Sequence, residues 1–131
     1  MDLAPLTTAA PVIRAHAYMA LAALCLGGMQ LALPKGVLPH RAMGYCWAVL
    51  MLTVAVTSFF IHSKPVIGPF GPIHILSLFV CVNVPLAVLA ARRRNLRAHR
   101  TAMLWIYSLA LVVTGLFTLW PGRIMHKVVF E

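Results

Sequence analysis

A chain of 131 residues that is 62% hydrophobic and only 10% charged has the composition of an integral membrane protein, because several of its apolar runs reach the roughly 20 residues that cross a bilayer as a helix. Eleven lysines and arginines stand against two acids, Asp2 and Glu131 at the extreme ends; bases placed at helix ends are accounted for by membrane orientation and anionic lipid, so nucleic acid is not an expected partner. The lack of a carboxylate between Asp2 and Glu131 also excludes a proton pump, cation exchanger or hydrolase built on Asp or Glu, and leaves histidine as the main titratable and metal-binding group.

Residues 1–10 are small to polar. They lack the basic start of a secretory signal, and the apolar run behind them is longer than a signal core, so they are expected to be an uncleaved lead-in. A first helix is expected over 11–33, with Pro11 in its first turn, where its missing N–H has no helical partner, and Pro34 as its stop. Arg14 and His16 lie in its opening turns. Gly27 and Gly28 near its far end allow a close helix contact without forming a Gly-xxx-Gly pair.

The short turn 34–39 makes the next helix, over 40–62 and opening on His40 and Arg41, an antiparallel neighbour. A turn over 63–71 rich in proline and glycine leads to a third helix over 72–91, with His74 near its mouth and Pro85 in its interior. The arginine-rich stretch that follows, with Asn95 as N-cap, opens a fourth helix over 96–120 that carries His99 and Arg100 and ends at Pro121-Gly122. The tail 123–131 suits the membrane interface. These elements make residues 1–131 a single transmembrane domain, all-α in class.

The plan repeats. His16 and His40 are 24 residues apart and His74 and His99 are 25 apart, so the chain reads as a four-helix bundle of two tandem transmembrane hairpins with pseudo-twofold symmetry. Lys35, Arg41, Arg92, Arg93, Arg94, Arg97 and Arg100 fall on one side, and Arg14, Lys64, Arg123 and Lys127 on the other. That asymmetry predicts both termini outside.

In such a bundle His16 opposes His74 near one face, and His40 opposes His99 near the other. Paired neutral imidazoles across an apolar slot are what a bis-histidine haem b requires, and Arg14, Arg41 and Arg100 are placed to pair with its propionates. Each histidine also has a simpler reading as a polar group at the interface, and duplication alone would copy it. Met43 and Met103 are within reach of a macrocycle but are common filler. Cys25, Cys46 and Cys81 form no Cys-xx-Cys spacing, which argues against a disulfide and against covalent haem. Trp47, Trp105, Tyr45, Tyr107 and Trp120 suit interfaces or bundle packing as readily as a quinone pocket, and Asn83 has Ser77, Thr57 and Thr114 as hydrogen-bonding partners; packing is the favoured reading for all of them.

The segments Phe70-Gly-Pro-Ile-His74-Ile-Leu-Ser77, Arg97-Ala-His99-Arg100-x-x-Met103 and Gly115-Leu-Phe117-Thr118-Leu-Trp-Pro121-Gly122-Arg123, with His40-Arg41-x-x-Gly44 before them, resemble the bacterial membrane proteins grouped as domain of unknown function 2306. The resemblance covers roughly 16–130. It implies a four-helix, multi-pass protein of a bacterial inner membrane and supplies no activity. Many members of that group carry arginine after the glycine, where this chain has Tyr45. By analogy with small multi-histidine cytochromes of the b561 type, the first functional expectation is a b-type cytochrome passing electrons across or along the membrane, with quinone or a redox protein as partner. The second is a non-catalytic accessory or scaffold subunit, as a homodimer or within a larger membrane complex, whose arginine turn contacts lipid. The third is a copper or zinc site from His16, His62, His74 and His126.

Overall fold

A computed structural model of the chain describes residues 1–61 and 71–131. His62, Lys64 and Phe70, with the rest of the expected turn 63–70, lie outside the described residues. Among the described residues six helices follow one another: α1 (Ala4–Thr7), α2 (Pro11–Ala32), α3 (Leu38–Ser58), α4 (Pro72–Arg92), α5 (Leu96–Thr118) and α6 (Ile124–Phe130). The four long ones, α2 to α5, are each long and apolar enough to cross a membrane.

The four packed pairs are α2 with α3, α3 with α4, α4 with α5, and α5 back onto α2, which closes an up-down-up-down bundle with α2 diagonal to α4 and α3 diagonal to α5. The inward faces follow from the sequence. On α4 the buried positions are His74, Ser77, Val80, Val84 and Ala87, steps of three and four residues that keep one face of the helix turned inward. Between them stand lipid-facing side chains such as Ile75, 74% exposed, beside His74 at 5%. Polar and small residues inside with large aliphatic ones outside is the pattern of helices whose apolar faces are solvated by lipid. Met51, Val84 and Ile106 fill the centre.

The helix ends differ from the sequence expectations in instructive ways. Helix α3 begins at Leu38 rather than at residue 40, with Pro39 inside its first turn, and it ends at Ser58 rather than at 62. At the close of α2, Lys35 Nζ donates to the carbonyls of Leu31 and Leu33, satisfying groups that the helix leaves open. Helix α4 continues through Pro85. Helix α5 is α-helical over Leu96–Ile106, a wider π-helix over Tyr107–Val113 and α-helical again over Thr114–Thr118. That π segment contains neither proline nor glycine, so the sequence carries no sign of it. The chain's two ends are helical too: α1 packs on α6, with Leu6 and Val128 buried between them and the Asp2 N–H donating to Val128 O at 3.1 Å. The lead-in and tail thus cap one end of the bundle, here called the terminal end. The opposite end, here called the arginine end, carries Arg41, Arg92, Arg93, Arg94, Arg97 and Arg100.

Only Arg93, Arg94 and Asn95 separate α4 from α5. Asn95 N donates to Ala90 O at 2.9 Å and Arg94 N to Ala91 O at 3.0 Å, the paired bonds of a Schellman motif. Arg94 holds the left-handed position with φ 59°, a place usually given to glycine. Asn95 then caps α5, its Oδ1 accepting from Ala98 N at 3.2 Å, as expected from its position.

Candidate functional site

At the terminal end every long helix supplies a polar side chain about one or two turns in. His16 of α2 meets Thr57 of α3, Nδ1 to Oγ1, at 3.0 Å. The Thr57 hydroxyl donates back to Thr53 O at 2.8 Å, a bond that commits its single hydrogen. It therefore accepts from His16 Nδ1–H, and the network assigns the lone pair of that ring to Nε2. Ser58 and Ser77 are buried and hydrogen-bonded to each other across α3 and α4. Thr114 of α5 donates to Leu109 O, five residues back, at 2.8 Å, a reach that fits the π segment it follows.

These groups surround a cavity of about 40 Å³ lined by His16, Ser58, Ser77 and Thr114 together with apolar side chains. A water or two would fill it. His74 does not line it. Its Nδ1 accepts from the N-cap Gly71 N–H at 2.9 Å, the side-chain half of a capping box, and its ring lies 5.6 Å from that of Phe59. A ring whose Nδ1 accepts carries its hydrogen on Nε2. His16 and His74 are thus on diagonal helices at one end, as expected, but they neither share a cavity nor present matching lone pairs. Arg14 donates to Thr7 O at 3.2 Å, tying α2 to the terminal cap, and His126 Nδ1 donates to Leu119 O at 2.8 Å. Among the described residues no three His, Cys, Asp or Glu side chains are grouped to hold a metal ion, and His62 lies outside them.

The arginine end is more open and differently equipped. His99 Nδ1 donates to Ala87 O of α4 at 2.8 Å, leaving Nε2 as a base, the arrangement that histidine ligands of metals adopt. His40 lies within electrostatic range of His99 and Lys35, and its Nδ1 is buried without a hydrogen bond. Gln30 Nε2 donates to His40 O at 2.6 Å, while its Oε1 is likewise buried without a partner. Orphaned buried polar atoms of this kind call for an explanation. Arg41 and Arg100, the residues after the two histidines, are exposed. Arg92 Nε donates to Tyr45 OH at 3.0 Å, with the guanidinium carbon 5.8 Å from the ring centroid.

Sequence reasoning placed the histidines by end and missed what holds them. Gln30 stood out only as a polar residue near a helix end, and Ser58 carried no signal beyond lying next to Thr57 at the depth of His16. Asn83 does not gather Ser77, Thr57 and Thr114 as expected; it donates to Phe79 O of its own helix at 2.8 Å. Trp47 and Tyr107 are packing residues, as expected. They meet at α2, where Trp47 Nε1 donates to Ala23 O at 3.0 Å and Tyr107 OH to Leu24 O at 3.1 Å.

No curated protein and no solved structure matches the chain. One family model does, that of predicted membrane proteins with domain of unknown function 2306, over residues 13–129. With nearly its whole length matched and four membrane-spanning helices in place, the chain belongs to the domain of unknown function 2306 family of predicted membrane proteins.

Proposed function

We propose that the protein binds one haem b at the arginine end, with His40 and His99 as the axial pair, and passes electrons at the membrane. The observation that carries this reading is the His99 Nδ1–H bond to Ala87 O at 2.8 Å, which fixes the ring and keeps Nε2 available as a base. His40 supplies the second imidazole from the diagonal helix. Gln30 steadies the backbone at His40 through its bond to His40 O, and its orphaned Oε1 offers an acceptor to whatever occupies this end. Arg41 and Arg100 suit bidentate contacts to propionates. Haem, when bound, supplies one-electron chemistry; the chain's own share is to orient two neutral rings and to balance the propionate charge.

A second haem between His16 and His74 is not part of the proposal. His74 does not line the cavity beside His16, and its Nδ1 is engaged at Gly71. The charge asymmetry supports an inner-membrane, multi-pass arrangement with both termini outside and the arginine end in the cytoplasm. Quinone or a redox protein is the proposed electron partner. The filled centre around Met51, Val84 and Ile106 favours a second reading, a non-catalytic scaffold subunit.

Absorption spectra of the detergent-purified protein, oxidised and reduced, with a pyridine haemochrome assay, separate the two. The cytochrome reading expects one haem per chain, lost in His99→Ala and in His40→Ala and kept in His74→Ala. A helical but colourless protein from haem-replete cells eliminates it and leaves the scaffold.

A further inference from the structure

We infer that the turn joining α4 to α5 is a binding site for the phosphate of an anionic phospholipid headgroup in the leaflet at that end. The arginines of this turn and of the first turn of α5 are Arg92, Arg93, Arg94 and Arg97, all exposed. The only two acids in the chain are Asp2 and Glu131, and both belong to the terminal end, where Asp2 Oδ1 accepts from Ala4 N at 2.9 Å. The arginine cluster therefore has no carboxylate to neutralise it, and the complementary charge has to come from outside the chain.

Three features distinguish the cluster from a general excess of positive charge. Every base in it is arginine, whose planar fork grips phosphate in a bidentate manner that lysine does not match. The backbone under it is fixed by the Schellman bonds and the Asn95 cap, so the charges are held close together before a ligand arrives. Arg92 is held to α3 by a bond that uses Nε and Tyr45 OH, which leaves both Nη groups for a phosphate. Leu96, 67% exposed among these arginines, places an aliphatic side chain where acyl chains begin. That pairing of an apolar foot with a cationic rim fits a lipid better than a free anion.

The test is a lipid titration of the full chain in an uncharged detergent, read by native mass spectrometry, comparing phosphatidylglycerol with phosphatidylcholine. Phosphatidylglycerol is expected to bind at least about tenfold more tightly. Each of Arg93→Gln, Arg94→Gly and Arg97→Gln is expected to weaken it about fivefold, the effect of one base near a lipid surface, whereas Arg123→Gln at the terminal end is expected to leave it unchanged. Arg94→Gly separates binding from folding, because glycine suits the left-handed position. Equal binding of the two lipids, or a triple variant that keeps the preference, overturns the assignment. Full competition by inorganic phosphate at matching concentration also overturns it, since that outcome describes a free-anion site.

Discussion

The ring of Tyr107 lies so close to Gly27 that a Cβ on the glycine would stand 2.6 Å from Cε2 of the tyrosine, and 2.7 Å from Nε1 of Trp47. Two aromatic residues from α3 and α5 thus converge on one bare spot of α2. Gly27→Ala forces both rings to move and is expected to cost about 1–3 kcal/mol, the usual effect of overpacking. Gly28→Ala, facing only the Tyr107 hydroxyl at 3.2 Å, should cost less. Gly115→Ala, with nothing within 4 Å of its added Cβ, should cost nothing. Thermal unfolding in detergent ranks the three, and an unchanged transition for Gly27→Ala contradicts the contact.

Trp47→Phe and Tyr107→Phe each keep most of a ring and remove one donor, from Ala23 O and Leu24 O respectively. Each carbonyl retains its helical bond, so each loss is expected to be about 1 kcal/mol. Because both rings lean on Gly27, the double variant is expected to deviate from the sum. A strictly additive pair in the same unfolding assay argues that the rings act independently.

At the α4–α5 junction the backbone predicts effects of opposite sign at neighbouring residues. Arg94→Gly relieves a left-handed conformation that costs an ordinary residue about 1–2 kcal/mol, so the variant should melt higher. Asn95→Ala removes the cap on Ala98 N and should melt lower, by about 1 kcal/mol. A destabilised Arg94→Gly contradicts the assignment of this turn.

Two histidines that the sequence offers alike as haem ligands, His74 and His99, are expected to respond differently. His74→Ala strips the acceptor from the buried Gly71 N–H and should cost about 1–3 kcal/mol while leaving the arginine end intact. His99→Ala should disturb haem content far more than stability. If spectra and melting curves of both variants change in parallel, the division of labour between the two ends is wrong.

The elements and their approximate limits were readable because prolines at 11, 34, 39, 72 and 121 mark helix starts and stops through a missing N–H, a local effect that needs no tertiary information. Asn95 was readable as a cap for the same reason. The buried stripe on α4 was not. In a membrane helix both faces are apolar, so periodicity cannot say which one turns inward, and the small and polar positions Ser77 and Ala87 are what decide it. The π segment, which packs against α2 and α4, was invisible, since it contains neither proline nor glycine to mark it. Grouping histidines by end needed only helix length. The partner of each ring nitrogen depended on a carbonyl or hydroxyl from another helix, such as Ala87 O for His99 or Thr57 for His16, which no linear spacing reports.

Asn95 belongs to two helices at once, closing α4 with its N–H and opening α5 with its side chain. No residue is left over to act as a spacer, so the hinge between the two most apolar of the spanning helices is welded. A tilt of either helix is handed to the other at the arginine end, and any breathing of this hairpin has to show at the opposite end, beside the hydroxyls around His16.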